Sequence, residues 1–264
     1  MKTICALFST MFSATFLAAF LATLIVLFSN TVMAATSKPA LDAANIDPKD
    51  MESLKRGAKY FADYCMGCHS ASLMRYSRVG ADLGIDEAEL ENMMIFTGAK
   101  VGDLMHVSVD AEDAKQWFGT KPPDLSVVAR SRGVDWIYTF LRSFYQDPTR
   151  PWGVNNVVFK DVAMPHVLWE LQGLQAAQYS NVVGDDGVTR QVITGFKVVE
   201  TGDAAPAAYD VFVRDLVNFL HYMGEPAKSI RLQLGKWVIL YLAIFFIVMY
   251  FLKKEYWKDV KKAH

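Results

Sequence analysis

Apolar residues dominate the two ends of the chain, and between those ends they recur at helical spacing. One apolar stretch runs from about Ile4 to Phe28, and a second runs from Ile230 to Leu252. In the region between them, four segments place apolar side chains on one face of an α-helix. The pattern therefore predicts a largely helical domain flanked by two membrane-directed segments.

The four helical segments have recognisable ends. The first follows Asp47-Pro48, an N-cap residue and a first-turn proline, and leads into Cys65. The other three are predicted at Asp86–Thr97, Asp135–Tyr145 and Tyr209–Met223. Between the last two, β-rich runs on either side of Asp186-Gly187 predict a short hairpin. The predicted fold class is all-α, with a small β-hairpin excursion and one C-terminal transmembrane helix.

The N-terminal stretch has the layout of an export signal. Lys2 precedes the apolar run, and small or compact residues at Val32-Met33-Ala34 suit a signal peptidase. Residues 1–34 are interpreted as a cleaved signal peptide, with an uncleaved anchor as the alternative. A linker or wrapping arm follows, and residues 35–227 form the exported domain.

The C-terminal stretch is predicted to cross a membrane once, over residues 230–252. Residues 253–264 form a basic tail, KKEYWKDVKK, that directly follows the span. The positive-inside rule places this tail in the cytoplasm and the preceding domain on the outer face. That orientation agrees with the export signal, and it brings membrane lipid among the expected partners.

Charge is distributed unevenly along the chain. Residues 35–227 contain 18 Lys and Arg against 26 Asp and Glu, a net charge of −8, whereas residues 228–264 contain 8 against 2, a net charge of +6. An acidic exported domain is a poor partner for nucleic acid and attracts basic proteins, although the same charge also serves solubility. No nucleic-acid partner is expected.

The strongest chemical signal is Cys65-Met66-Gly67-Cys68-His69 at the end of the first helix. The two thiols can form thioethers to one haem, and His69 then ligates its iron. A thioredoxin-like redox pair is one alternative, but it belongs near a βαβ pattern. A zinc site is another, and it needs further Cys or His ligands at comparable spacing. The motif therefore predicts one covalently bound haem c.

A haem that only transfers electrons needs a sixth ligand, and methionine opposite histidine raises its potential. The candidates are Met93 or Met94, Met105, Met164 and Met223. Met164 is favoured because it lies in a non-helical loop stiffened by Pro165, and His166 is its competitor. Most methionines, however, fill protein cores.

Two further features concern the haem environment. Lys121-Pro122-Pro123-Asp124-Leu125-Ser126 predicts an ordered turn leading to Arg130 and Arg132, and arginine suits the haem propionates. A solvent-facing arginine is the alternative. Five aromatic residues could line an apolar pocket or belong to the plain core, and none is assigned a redox role: Trp117, Trp136, Tyr138, Trp152 and Trp169.

Four blocks in this order resemble the cytochrome c1 family, the haem-bearing subunit of quinol:cytochrome c oxidoreductase, or cytochrome bc1 complex. They are CMGCHSASLMRYSRVGADLG, KPPDLSVVARSRG, AMPHVLWEL and DLVNFLHYMGEPAKSIRLQLGKW. The resemblance implies a cytochrome c-like haem domain with no catalysis by the isolated chain. It further implies that Met164 is the sixth ligand, that Arg130 contacts a propionate, and that Pro122 and Pro123 pack beside the haem.

The resemblance also implies an electron path. The Rieske iron–sulfur protein would reduce this haem, which would reduce a soluble or tethered cytochrome c, and cytochrome b would adjoin the C-terminal helix. The expected location is the bacterial inner membrane with the haem domain periplasmic. Gly98–Thr120 is shorter than the acidic insert of many relatives and has no cysteine, which leaves the docking surface for the acceptor open. Another tethered cytochrome is the remaining alternative.

Overall fold

The computed structural model describes residues 39–107, 109–184 and 187–262, so the predicted signal peptide at 1–34 lies outside the described residues. The helices of these ranges are α1 (Met51–Tyr64), α2 (Tyr76–Leu83), α3 (Glu87–Met94), α4 (Ala111–Phe118), α5 (Val128–Arg132), α6 (Val134–Arg142), α7 (Trp169–Gln172), α8 (Pro206–Gly224) and α9 (Lys228–Lys262). The strands are β1 (Ala71–Arg75), β2 (Leu104–Met105), β3 (Phe144–Gln146), β4 (Val154–Asn156), β5 (Gly173–Val183) and β6 (Thr189–Thr201).

Helices α1 and α8 pack against each other at the centre of the core. Phe61 of α1 is fully buried, and its ring centroid lies 5.6 Å from that of Phe219 in α8. The two backbones approach so closely at Gly57 that a Cβ there would lie 2.1 Å from the backbone oxygen of Asp215. Only glycine fits this crossing, and the apolar faces of both helices are removed from water around it.

A buried polar network joins the same two helices. The Asp215 carboxylate accepts hydrogen bonds from Ser53 Oγ at 2.6 Å and from Arg56 Nε at 2.6 Å. Asn218 Nδ2 donates to Ser53 Oγ at 3.0 Å. Because Asp215 is only 3 % exposed, these partners offset the cost of burying its charge. The network fixes one register between α1 and α8.

The segment before α1 wraps onto the helical core as an arm. The backbone N–H of Asp42 donates to Thr139 Oγ1 and that of Ala44 donates to Asp135 Oδ1, each at 2.8 Å. Asp42 also pairs with Arg142 of α6. The predicted linker is therefore bound to α6 at Asp42 and Ala44.

The fold is about half helical and is not purely α, which corrects the predicted all-α class. Three two-stranded antiparallel sheets form, pairing β1 with β2, β3 with β4 and β5 with β6. The first two pairs have strands of two to five residues. Strands this short contain too few alternations to be distinguished from loops in the sequence.

The predicted hairpin exists as β5–β6, but it is not short. Its strands have 11 and 13 residues, and they pair from Gly173 opposite Thr201 to Val183 opposite Thr189. Register shifts follow Leu174 and Gln178. These irregularities interrupt the alternation of apolar and polar residues, which is why the pattern revealed only the part nearest the turn.

Several predicted helix boundaries are wrong, and those of α1 and α6 show the physical reasons. Helix α1 is capped by Asp50, whose side chain accepts from Ser53 N at 3.0 Å, whereas Asp47 forms the preceding turn. Helix α6 ends at Arg142, and the apolar residues after it form strand β3. The apolar pattern continues through this junction, so periodicity alone did not show the change.

Helix α9 is the one helix of the described residues that is long and apolar enough to cross a membrane, over Ile230–Lys258. Its apolar side chains are exposed, for example Trp237 at 71 % and Phe246 at 69 %. The helix continues without a break through the basic residues to Lys262. The chain is thus anchored in a membrane by this helix.

Candidate haem site

One cavity of about 270 Å³ brings together most of the residues singled out in the sequence. It is lined mainly by apolar side chains from the end of α1, the turn before α5, helices α5, α6 and α8, and the loop before α7. The predicted site residues on it are Cys65, Cys68, His69, Pro122, Pro123 and Met164. Arg130 is not among its lining residues.

The cysteine motif reaches the cavity because α1 ends there. The N–H of Cys65 closes the helix on the carbonyl of Phe61 at 2.9 Å. The chain then makes a tight turn in which the N–H groups of Cys68 and His69 both donate to the carbonyl of Cys65, at 3.1 and 2.9 Å. This turn brings both thiols and the imidazole to the same cavity.

The His69 ring is oriented by the turn that contains the two prolines. Nδ1 of His69 lies 2.7 Å from the carbonyl oxygen of Pro123 and donates to it, which leaves Nε2 without a proton. Burial lowers the pKa of His69 below its usual value, although the Pro123 hydrogen bond opposes this effect. A neutral imidazole with a free Nε2 is the form that ligates a metal.

The proline turn is itself fixed to the segment after the motif. Asp124 accepts from the backbone N–H of Ser72 at 2.9 Å and from that of Ser126 at 2.8 Å. Ser126 Oγ accepts from the N–H of Leu73 at 3.0 Å. Burial alone would raise the pKa of Asp124, but hydrogen bonds from Ser126 and Ser72 lower it, so the carboxylate stays charged. The Pro123 carbonyl is thus held in place by a charged anchor.

The environment of the thiols disfavours both non-haem alternatives. Burial raises the pKa of Cys65 to about 12, with a smaller contribution from Cys68. The thiolate is the form that exchanges disulfides or binds zinc, and burial suppresses it at Cys65. Across residues 39–107, 109–184 and 187–262, no group of three or more His, Cys, Asp and Glu side chains could hold a metal ion.

Met164 lies on the loop before α7 and lines the cavity. Asp161 starts this loop with a left-handed backbone, φ 61°. Its N–H donates to Asn155 Oδ1 and its carbonyl accepts from Arg150 Nη2, each at 2.8 Å. Val162 is buried at 4 % exposure and ties the loop to the core. The loop that presents the methionine is therefore fixed at its base.

The competing ligand candidates lie elsewhere. His166 stacks on Phe144 with centroids 4.8 Å apart and planes at 1°, and it does not line the cavity. Burial lowers its pKa to about 4. Met94, Met105 and Met223 are buried in the core, and neither they nor Met93 lines the cavity.

The structure brings Arg132, not Arg130, to the cavity. The two residues are two positions apart on α5, and such residues point to nearly opposite sides of a helix. Arg132 shares a face with Val128, four positions earlier, and both line the cavity. Arg130 is exposed and packs its aliphatic stem over Gly224, where an added Cβ would lie 3.2 Å from its Cγ.

Aromatic side chains complete the lining, and sequence reasoning identified only Trp136 among them. Its ring stacks on Phe140, with centroids 5.1 Å apart. The Arg132 guanidinium lies 5.1 Å from the Trp136 centroid and 5.9 Å from that of Phe159. Phe118, from the end of α4, also lines the cavity. The spacing of Trp136 and Phe140 on α6 was the available signal for this stacked pair.

A Cys-X-X-Cys-His turn at a helix end, an oriented imidazole and a methionine on one apolar cavity are typical of the c-type cytochromes. The residues fit a covalently bound haem: two thiols for attachment, a neutral nitrogen and a thioether for the iron, and apolar walls for the macrocycle. The membrane helix narrows this class to anchored cytochromes.

Comparison with known proteins agrees with this class. The chain belongs to the cytochrome c1 family, whose pattern it matches over residues 44–260. It is 50 % identical over 240 residues to cytochrome c1 of Allochromatium vinosum, covering 90 % of this chain and 97 % of that protein. It is 29 % identical over 234 residues to the mitochondrial cytochrome c1 of Schizosaccharomyces pombe, covering 80 % and 68 %.

A relative with a different name also matches. The "Ammonia monooxygenase gamma subunit" of Nitrosomonas europaea is 47 % identical over 220 residues, covering 83 % of this chain and 88 % of that protein. Members of the cytochrome c1 family carry covalently bound haem c and are electron-carrier subunits rather than catalysts by themselves. The family works within the cytochrome bc1 complex, with cytochrome b and the Rieske protein.

Proposed function

We propose that this chain relays single electrons from the Rieske iron–sulfur protein to a soluble or tethered cytochrome c, as the haem subunit of a bacterial quinol-oxidising complex. The observation that supports this most directly is the shared cavity: Cys65, Cys68 and His69 line it together with Met164. Haem c bound there supplies the one-electron Fe(III)/Fe(II) couple.

Different residues of the chain would hold different parts of the haem. Cys65 and Cys68 would attach it, and His69 and Met164 would ligate its iron. The backbone carbonyl of Pro123 fixes the imidazole of His69, and Pro122 lies next to Pro123 on the cavity wall. Arg132, in place of Arg130, is the partner for a propionate, because its guanidinium reaches the cavity and is already oriented by Trp136 and Phe159.

The fold restricts the access of water to the haem cavity. The apolar walls exclude water, which lowers the reorganisation that accompanies each electron transfer and favours the neutral ligand set. None of these side chains needs to move a proton or form a bond with a substrate. The protein therefore tunes and positions the group and leaves the chemistry of quinol oxidation to its neighbours.

The proposed location is the periplasmic side of the bacterial inner membrane. The export signal at 1–34, the anchor within α9 and the basic residues Lys253, Lys254 and Lys258 after its apolar core support this orientation. The domains follow as a signal peptide, the haem domain at 35–227, the span at 230–252 and a cytoplasmic tail at 253–264. Cytochrome b is the proposed membrane neighbour of the span.

The relative from Nitrosomonas europaea motivates a second candidate, an electron-transfer subunit attached to a monooxygenase. Both candidates use the same haem site, so the site does not distinguish them. The proteins that copurify with the chain do distinguish them.

The test is to isolate the chain from its native membrane in mild detergent under a C-terminal affinity tag. We expect a haem-stained band on a denaturing gel, and we expect cytochrome b and a Rieske protein in the same fraction. Cys65→Ala/Cys68→Ala should remove the stain, while Ser131→Ala, an exposed change on α5, should keep it. A stained band that purifies alone or with a monooxygenase, or a wild-type band without stain, contradicts the proposal.

A further inference from the structure

Four consecutive residues of the loop before α7 line the haem cavity: Val162, Ala163, Met164 and Pro165. The residue before them, Asp161, is exposed and has a left-handed backbone, φ 61°. This conformation is unfavourable for a residue with a side chain, and it persists only where the surroundings hold it. The contacts that hold Asp161 therefore also fix the direction in which the chain enters the cavity.

Asn155, in the middle of strand β4, holds Asp161 in this conformation. Its Oδ1 accepts from the backbone N–H of Asp161 at 2.8 Å and from that of Asn156 at 2.9 Å. Arg150 Nη2 completes the attachment by donating to the Asp161 carbonyl at 2.8 Å. Because Asn155 is only 3 % exposed, water does not readily replace its hydrogen bonds when they are lost.

Asp147 sets the orientation of the Asn155 amide. Asn155 Nδ2 donates to Asp147 Oδ2 at 2.9 Å, while Asp147 Oδ1 accepts from Thr149 Oγ1 at 2.6 Å. Hydrogen bonds from Thr149 and from Asn155 lower the pKa of Asp147, so it is a carboxylate that can only accept. Since the nitrogen of the amide must face Asp147, its oxygen is left to face Asp161.

The other end of the cavity-lining segment is held in a different way. His166 directly follows Pro165, and its ring stacks on Phe144 with centroids 4.8 Å apart. The segment is thus held by stacking at one end and by the Asn155 amide at the other. The hydrogen-bonded end is the one that includes an unfavourable backbone conformation.

We propose that Asn155, oriented by Asp147, is a positioning residue for the sixth haem ligand: it keeps the thioether of Met164 in place and so limits how readily another ligand displaces it. The inference rests on the proposed function, in which Met164 ligates the iron, and it adds the residue on which that ligation depends. Without the hydrogen bond from its N–H, Asp161 would leave the left-handed region, and the methionine would move with the chain.

The test measures the sixth ligand of the haem in the purified native complex. Asn155→Asp keeps the shape of the side chain and an acceptor for Asp161, but it places two carboxylates against each other at Asp147. At about pH 8, where a proton shared between two such carboxylates is released, this repulsion is complete. We expect the sulfur-to-iron charge-transfer absorption to weaken and the affinity for added imidazole to rise about tenfold or more, the scale of losing a hydrogen bond to a charged group.

A second variant and a rescue separate positioning from general damage. Asn155→Ala removes both hydrogen bonds without adding charge, so it should show the same two changes, and it serves as the test if Asn155→Asp retains no haem. Asp147→Asn/Asn155→Asp exchanges the two groups and should restore both readouts. The amide at position 147 then donates to the carboxylate at position 155, which still accepts from Asp161.

Lys160→Gln is the matched control, because Lys160 is an exposed residue of the same loop and the change alters the net charge as Asn155→Asp does. Its absorption band and imidazole affinity should match the wild type. Unchanged readouts in the Asn155 variants, a double variant that does not recover, or a control that behaves like Asn155→Asp overturns the inference. A Met164→Leu complex that keeps the wild-type band would instead contradict the ligation assigned in the proposed function.

Discussion

The imidazole of His69 is held by the backbone of Pro123, with 2.7 Å between Nδ1 and the carbonyl oxygen. A backbone acceptor is not removed by changing a side chain, so the orientation of the proposed iron ligand depends on the position of the whole turn. Asp124 fixes that turn through hydrogen bonds from Ser72 and Ser126. Pro123 and Asp124 thus orient the proposed haem ligand through the position of the backbone.

Met164→Leu tests the other proposed ligand. We expect the sulfur-to-iron charge-transfer absorption to disappear and the midpoint potential to fall, because the thioether stabilises the reduced iron. Optical redox titration of the purified complex measures both.

Met105→Leu is the matched control for Met164→Leu, since Met105 is fully buried and does not line the cavity. Exchanging methionine for leucine in a core typically costs less than about 1.5 kcal/mol. The absorption band should persist in this control. Its persistence in Met164→Leu as well would assign the sixth position to another residue.

Arg132→Gln and Arg130→Gln separate the two arginines of α5. Arg132 lines the cavity, and two unit charges about 10 Å apart interact by about 1–2 kcal/mol at an effective dielectric of about 20, which is tens of millivolts for a one-electron couple. Removing the cation at Arg132 should lower the midpoint potential by this amount, because the oxidised haem carries the additional positive charge. Arg130→Gln should shift it less. Equal shifts, or a larger one for Arg130, would favour the original assignment of the propionate to Arg130.

Gly57→Ala tests the crossing of α1 and α8. The added Cβ would lie 2.1 Å from the Asp215 backbone oxygen and 2.8 Å from Phe219 Cβ, so the helices must separate. We expect the free energy of unfolding to fall by about 3 kcal/mol or more. Denaturant titration followed by haem absorbance measures the change. Gly102→Ala is the control, because nothing lies within 4 Å of its added Cβ. A Gly57→Ala variant as stable as this control would contradict the close approach.

His221 is expected to weaken the junction between α8 and α9 in acid. Its Nε2 accepts from Lys228 Nζ at 3.2 Å. Burial lowers its pKa below the usual value, Lys228 lowers it further, and Glu225 opposes both. The folded state therefore binds its proton less readily than the unfolded state does. The contribution of His221 to stability is full above its ordinary pKa near 6.5 and is lost as pH falls toward the lowered value.

The measurement is the denaturation midpoint of the detergent-solubilised protein across this pH window. His221→Gln keeps a hydrogen-bond acceptor for Lys228 but does not titrate, so its midpoint should change less with pH than that of the wild type. Parallel profiles for the two proteins would show that His221 is not responsible.

The sequence predicts a feature well where a residue pattern suits only one structural or chemical role. Cys65, Cys68 and His69 could be predicted as haem-binding residues because their spacing suits a single cofactor. Helix α8 could be predicted because its apolar face is continuous and ends at Gly224. The membrane helix was recognisable for the same reason, since an uninterrupted apolar run is rare in other settings.

Other features depend on contacts that a linear pattern does not contain. Arg130 and Arg132 have the same side chain, and only the orientation of α5 decides which of them faces the cavity. His166 and Met164 are two positions apart, yet stacking on Phe144 takes the histidine away from the cavity. The short strands β1 to β4 arise from tertiary pairing, so their sequences show no alternation.

The pairing of Ser53 with Asp215 connects positions 162 residues apart. Helices α1 and α8, the first and last of the haem domain, thus stabilise each other, and the core is complete only when both are present. In the proposed orientation, a chain exported from its N-terminus would expose Cys65 long before α8 emerged. Because Leu216 and Leu220 of α8 line the cavity, its wall would be incomplete until that helix arrived, and the thiols would stay accessible for haem attachment in the meantime.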